Sequence, residues 1–299
     1  MSAGGPARVP IWSVGTLIRH GARLFRSARL SYGHGTTNAR DEAAWLTLHA
    51  LRLPPALPPD RFPARVDPRD AARALKLFER RIRERVPAAY LTGTAWLDDL
   101  PFHVNRNVIV PRSHIAALLR ERLTSWIPRT RSVRTALDLC TGSGCLAVFV
   151  ARAFLHAQID AVDVSAPALA VARRNIRDHR LAHRIRVIRS DLFGALRGKR
   201  YDLIVSNPPY VAAASMRRLP REYRHEPRLA LAGGRDGLDL VKRIVQQAAT
   251  HLHPGGVLVV EVGNGRARVE RAFPRIAFTW PDTAGDDALF IAQREQLPD

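Results

Sequence analysis

Hydrophobic and polar positions follow one period before about residue 95 and another after it. In residues 8–29 the apolar positions Trp12, Leu17, Ile18, Leu24, Phe25 and Ala28 stand among arginines, a spacing that predicts an amphipathic helix. Tyr32-Gly33-His34-Gly35 predicts a turn, and Asn38 the cap of a second helix reaching Leu53. Pro54, Pro55, Pro58, Pro59 and Pro63 predict a stiff connector, followed by a third helix from Pro68 to about Val86. Residues 1–95 therefore read as a small helical domain. In 96–112 Phe102, Val104, Val108 and Val110 alternate with polar residues around Asn105-Arg106-Asn107, which predicts a β-hairpin linker with its turn at 105–107. In the third segment, 113–299, strand, loop and helix repeat from residue 132 onward. Strands are predicted at 135–139, 159–163, 185–189, 201–206, 256–262, 276–280 and 287–293, and helices near 145–156, 166–179, 238–252 and 264–272. Such alternation implies an α/β fold with a seven-stranded, mostly parallel sheet covered on both faces. The last two strands have no helix between them, so one is expected to be antiparallel.

Composition narrows the class. The apolar fraction of 46% is that of a globular protein, and no apolar run is long enough to span a bilayer. The first residues, Met1-Ser2-Ala3-Gly4-Gly5-Pro6, lack the order of a secretory signal. Cys140 and Cys145 are the only cysteines, and two thiols make neither a zinc site nor a disulfide framework. A cytoplasmic setting is expected. The net charge is +20, with 21 Arg/Lys against 10 Asp/Glu in residues 1–130 and 26 against 17 in the remainder. The surplus is not a tail, and a field of this sign attracts polyanions. Only Lys76, Lys199 and Lys242 are lysines, so the same surplus also fits a general arginine bias.

The candidate chemistry lies at predicted strand ends. The apolar run 201–206 is followed by Asn207-Pro208-Pro209-Tyr210, at the carboxyl edge where α/β enzymes bind ligands. The two prolines fix the backbone and remove two N–H donors. A rigid amide, an exposed carbonyl and an aromatic face suit a planar NH2 group, either a side-chain amide or the amino group of a base. After the first strand of the third segment comes Asp138-Leu139-Cys140-Thr141-Gly142-Ser143-Gly144. This loop matches neither the dinucleotide glycine fingerprint nor a phosphate-binding loop with its lysine. Asp163, with Val164 after it, ends the second strand, where its carboxylate can accept bonds from ribose hydroxyls. Asp191, with Leu192 after it, follows the third and can receive an adenine amine. A nucleoside pocket rich in acids and lacking a phosphate clamp fits S-adenosylmethionine. The expected cofactor-binding set is Asp138, Cys140, Thr141, Gly142, Ser143, Gly144, Asp163, Val164, Asp191, Leu192 and Asn207. The expected catalytic set is Asn207, Pro208, Pro209 and Tyr210. No metal-ligand spacing and no Ser-His-Asp order is present. His225-Glu226 reads equally as a cleft lining and as a helix cap.

Across nearly its whole length the chain resembles the HemK/Prm family of S-adenosylmethionine-dependent class I methyltransferases, which have a Rossmann-like fold and methylate glutamine side chains in translation proteins. Tyr32-Gly33-His34-Gly35-Thr36, Val110-Pro111-Arg112-Ser113-His114-Ile115 and the segment from Leu219 to Pro227 resemble the branch that modifies the third large-subunit ribosomal protein. Release-factor methylases of the same family carry proline where Ser113 stands. Two departures are visible: His114 replaces an expected proline, and Asp286-Asp287-Ala288 replaces a glycine-containing turn. The resemblance implies transfer of a methyl group to a glutamine amide nitrogen of that ribosomal protein. The protein is itself basic, which favours an RNA-containing assembly intermediate as the substrate. A release-factor methylase, an adenine-amino DNA methylase and a non-catalytic RNA-binding assembly factor remain the competing readings. No separate base-flipping domain is evident, and the acids and Asn207 are intact.

Overall fold

The computed structural model describes residues 11–127, 133–282 and 288–298. The chain forms two compact units, Met1–Thr92 and Gly93–Asp299. The expected linker, 96–112, thus falls inside the second unit.

The first unit is helical: α1 (Val14–Ser27), α2 (Ala39–Ala50), α3 (Pro68–Glu84) and α4 (Ala88–Thr92). Each long helix starts where a side chain satisfies its first free N–H groups. Ser13 and Thr16 form a reciprocal capping box, so α1 begins at Val14 rather than at the expected residue 8, which lies outside the described residues. Asn38 accepts from the N–H groups of Arg40 and Asp41, and Asp67 from that of Arg69. Phe25 of α1 meets Phe78 of α3 edge-on at 5.4 Å between centroids. Within this core Arg81 donates through Nε to Glu42 at 2.6 Å, with both side chains buried. Arg81 also donates to the Ser31 carbonyl, and the Thr36 hydroxyl donates to Glu42. The 32–36 loop is therefore pinned at both ends by one buried ion pair.

The second unit opens with a hairpin, β1 (Thr94–Leu97) and β2 (Leu100–His103). Its turn is Asp98-Asp99, with Asp98 at φ 51°, not Asn105-Arg106-Asn107 as expected. The latter does turn, with Val108 N–H donating to the Asn105 carbonyl, but no strand follows it. After α5 (Ile115–Arg120) come β3 (Thr135–Leu139), α6 (Cys145–Ala153), β4 (Gln158–Asp163), α7 (Ala166–Asp178), β5 (Ile185–Arg189) and β6 (Tyr201–Ser206). Then follow α8 (Ala213–Met216), α9 (Asp239–Ala248), β7 (Leu252–Gly263), α10 (Arg266–Ala272) and β8 (Ala288–Gln293). The sheet order is β5-β4-β3-β6-β7-β8, with only β8 antiparallel. Among the described residues six strands stand in this sheet where seven were expected. The segment at 276–280 pairs with β8 only at Thr279 and Ile291, through two hydrogen bonds. Its rings turn inward instead: Phe278 and Trp280 pack on Phe290 at 4.5 and 5.7 Å. Residue 287, the expected start of the last strand, and Asp286 lie outside the described residues.

The order of strands reverses at β3, which pairs in parallel with β4 on one side and β6 on the other, and this opens a crevice at their carboxyl ends. Among the described residues no helix is long and apolar enough to cross a membrane. Removing one partner of a buried ion pair leaves the other charge uncompensated. Glu42→Ala is therefore expected to destabilise the protein by about 3–5 kcal/mol in urea denaturation, whereas loss of the exposed partner Glu79 of Arg83 costs less than about 1 kcal/mol.

Candidate active site

Strand register brings the candidate residues together. Leu139 pairs with Val162 on one side and with Ser206 on the other. Asp163 pairs with Arg189, and Ser206 with Val260. Read across the carboxyl edge, Asp191, Asp163, the Cys140 loop, Asn207 and Glu261 therefore follow one another in a row. A cavity of about 300 Å³ lies over this row. It is lined by Cys140, Gly142, Asp163, Val164, Asp191, Leu192, Asn207 and Pro209 from the expected set. Asp138, Thr141, Ser143, Gly144, Pro208 and Tyr210 do not line it. Val108, Ile109, Leu229 and Leu240 add walls that the motif reading missed, because no single one of them carries recognisable chemistry.

The glycine loop is held from below. Asp138 is fully buried and its Oδ2 accepts from the Thr141 hydroxyl at 2.5 Å and from Ala147 N–H at 3.0 Å. Burial raises its pKa to about 7. Its Oδ1 is buried with no hydrogen-bond partner among the described residues. Asn175 of α7 donates to the Ser143 and His103 carbonyls and accepts from His103 N–H, tying the loop to the hairpin. Gly144, at φ 81°, lies so close to α7 that a Cβ would sit 3.2 Å from that of Ala172. A Cβ on Gly142, at φ 54°, would instead enter open space on the cavity side. Cys140 and Leu192 are non-glycine residues in the left-handed region, at φ 58° and 45°. Both line the cavity, and backbone strain of this kind gathers at functional sites. Both thiols are held in the protonated form: burial, then the charge of Asp163, raises the pKa of Cys140, and burial raises that of Cys145 to about 12.

Asp163 is aimed by the backbone. Its two oxygens accept from Gly142 N–H and Ser165 N–H, each at 2.9 Å, and each keeps a lone pair for a further donor. Burial raises its pKa. Asp191 differs from expectation. It is largely exposed, and both of its oxygens take a fork from Arg243 at 3.1 and 2.9 Å. Arg243 lies 52 residues away, so no local motif pointed to it.

The Asn207 amide has one orientation. Its Nδ2 donates to the Arg112 carbonyl at 3.3 Å and to Glu261 Oε1 at 3.2 Å. Both partners can only accept, which removes the usual ambiguity between amide oxygen and nitrogen. Oδ1 must then face away from them, and neither it nor the Pro208 carbonyl accepts a hydrogen bond from any described residue. Glu261, only 2% exposed, is the residue that sequence reasoning missed. Besides Asn207 it accepts from the Tyr210 hydroxyl at 3.4 Å, the Ser113 hydroxyl at 2.6 Å and the His114 N–H at 3.1 Å. The departure at His114 thus supplies an N–H that the expected proline lacks. Glu226 does not line the cavity; it is the C-cap of the short 3-10 helix Arg221–His225, its N–H donating to the Tyr223 carbonyl. It is buried, takes a bidentate pair from Arg112 with both distances 2.7 Å, and accepts from Val110 N–H. Burial alone lowers the Arg112 pKa, but the bonds and charge of Glu226 more than reverse that.

Comparison with known proteins places this geometry. The Methyltransferase small domain model matches residues 116–219. The ribosomal protein uL3 glutamine methyltransferase of Bordetella pertussis is 52% identical over 282 residues, 94% of this chain and 95% of that protein. The protein of the same name from Burkholderia pseudomallei is 47% identical over 297 residues, 97% of each chain. This chain belongs to the ribosomal protein uL3 glutamine methyltransferase family. The solved hMettl16 catalytic domain, in complex with MAT2A 3′UTR hairpin 1, is similar in fold, with a TM-score of 0.52 at 17% identity over 75% of this chain and 79% of that one.

The site of this uL3 glutamine methyltransferase family member fits S-adenosylmethionine. The close backbone approach at Gly142 and the oriented Asp163 carboxylate, both lining the cavity, suit a nucleoside. Two outcomes follow. Glu261→Gln replaces an acceptor with a donor beside Asn207 Nδ2, so the amide loses its fixed orientation. Methyl transfer kcat is expected to fall about ten- to a hundredfold, with cofactor affinity in calorimetry changed less than about threefold. Asp138 has a folded pKa raised above its unfolded value, so the folded state binds the extra proton. Its contribution to stability is full below the unfolded carboxylate pKa and is lost as pH rises through about 7. Urea melts from about pH 5 to about pH 8 should show wild type losing stability relative to Asp138→Asn.

Proposed function

We propose that this chain methylates the side-chain amide nitrogen of a glutamine in ribosomal protein uL3, the third protein of the large subunit, with S-adenosylmethionine as methyl donor. The observation that carries the reading is the forced orientation of Asn207, which leaves its Oδ1 as an acceptor at a cavity shared with the glycine loop. A side-chain amide nitrogen is a poor nucleophile because its lone pair is delocalised into the carbonyl. Asn207 Oδ1 and the Pro208 carbonyl each accept one N–H of the substrate amide, which draws charge onto nitrogen and aims its lone pair. Tyr210, held by its hydroxyl on Glu261, presents its ring to the planar amide. Asp163 holds the ribose hydroxyls, and Val164 and Leu192 flank the base. The bound cofactor supplies a methyl group already activated on a sulfonium. The chain's own part is therefore alignment, a contribution of up to about 7–11 kcal/mol, and no general base is needed while the product nitrogen is strongly acidic.

The uL3 substrate is favoured over release factor by Ser113, which donates to Glu261 where the release-factor branch carries proline, and by the names of relatives 45–52% identical over most of the chain. The amino group of adenine presents a similar NH2, and the names of the relatives reported above favour the glutamine amide. We further propose that the helical unit recognises the substrate, that the enzyme works in the cytoplasm, and that an RNA-containing assembly intermediate is the preferred form. Intact-mass measurement of ribosomal proteins from cells lacking the chain should show one protein lighter by one methyl group. In vitro, Asn207→Ala is expected to slow transfer about a hundred- to a thousandfold while cofactor still binds; near-wild-type turnover would refute the mechanism.

A further inference from the structure

The first acidic residue of the chain is Asp41; the forty residues before it include six arginines and two histidines and no carboxylate. The fold gathers part of this charge along one groove. A depression of about 1190 Å³ in the helical unit is lined by Trp12, Arg19, His20, Arg23, Arg26 and Arg40, among others. Arg19, Arg23 and Arg26 fall at i, i+4 and i+7 on α1 and are exposed, as is Arg40 at the start of α2. None of the four is ion-paired with a described residue. Arg23 reaches only a ring nitrogen of His20, whose ring packs on Trp12 at 5.0 Å. The one acid among the lining residues, Asp41, accepts from Asn38 Nδ2.

The contrast with α3 is informative. There Arg73 pairs with Asp70, Arg80 with Glu84 and Arg83 with Glu79, at helical spacing. Three arginines of α3 are thus neutralised within the helix, as on an ordinary solvated face. On α1 arginine is left uncompensated, in a concave surface that also holds an aromatic edge. Guanidinium forks match phosphate oxygens, and an aromatic side chain offers a platform for a base.

We propose that this groove grips the backbone of an RNA strand, and so serves as the contact through which the enzyme engages RNA-bound substrate. The choice of RNA over an acidic protein segment rests on the uL3 reading above and on the aromatic lining. The groove and the methyl-transfer cavity share no lining residue, so binding and catalysis can be measured apart.

The test uses full-length protein and a fluorescein-labelled mixed-sequence single-stranded RNA of about 16 nucleotides, with binding followed by anisotropy across a salt series. Wild type should bind with log K falling linearly in log salt by about 0.7 per phosphate contacted. Arg19→Glu/Arg23→Glu should weaken binding at least about tenfold at low salt and flatten that slope by about 1.4. Arg80→Glu/Arg83→Glu makes the same change of charge on α3 and should weaken binding less than about threefold. Methylation of an RNA-containing particle should fall more in the groove variant than methylation of free uL3 does. No measurable RNA binding, or equal losses in both variants, would overturn the proposal, as would polyglutamate binding as tightly as RNA. A protein that binds RNA as described but methylates no uL3 would leave the groove standing and remove the uL3 assignment.

Discussion

A single buried carboxylate organises the catalytic unit. Glu261 sits near the end of β7, between Val260 and Val262 in sequence, and accepts from the Asn207 amide, the Tyr210 hydroxyl, the Ser113 hydroxyl and the His114 backbone among others. A carboxylate has about four acceptor positions and no donor. A buried one is tolerated only when those positions are filled. The consequence runs outward from that requirement. Donors of the surrounding segments turn toward Glu261, so their acceptors are left facing the other way. The orientation of the Asn207 amide is thus set by the need to satisfy a buried carboxylate in the sheet.

Glu226 does the complementary work. It clamps Arg112 and Val110, and the Arg112 carbonyl in turn receives Asn207 Nδ2. Segments separated by about a hundred residues in sequence are thereby fixed to one another on one side of the cavity. On the other side the glycine loop is fixed by Asp138 from beneath and by Asn175 from α7. Between them the parallel register of β4, β3 and β6 sets the spacing, so that little rearrangement is needed to present a donor and an acceptor to each other.

What was legible in the sequence was local. Apolar runs marked the strands of the large sheet to within a few residues, and the cap at Asn38 follows from side-chain chemistry alone. Asn207-Pro208-Pro209-Tyr210 and the acid at Asp163 could be read because each announces its chemistry within a few positions. Glu261 could not, since one acid inside Val-Val-Glu-Val-Gly looks like any strand residue until its partners, 54 and 148 positions away, are known. The fork from Arg243 to Asp191 was hidden for the same reason. The hairpin turn was misplaced because Asn-Arg-Asn does turn the chain, while Asp98-Asp99 carries the cross-strand pairing. The strand at 276–280 was overcalled because alternating rings there serve packing on Phe290 rather than a ladder.

The most direct test is a co-crystal structure with S-adenosylhomocysteine and a glutamine-bearing uL3 peptide. The account requires the glutamine amide nitrogen about 2.7–3.2 Å from Asn207 Oδ1, with Asn207 Nδ2 still donating to Glu261. A glutamine bound outside the cavity, or an Asn207 amide turned so that its nitrogen faces the substrate, would contradict it.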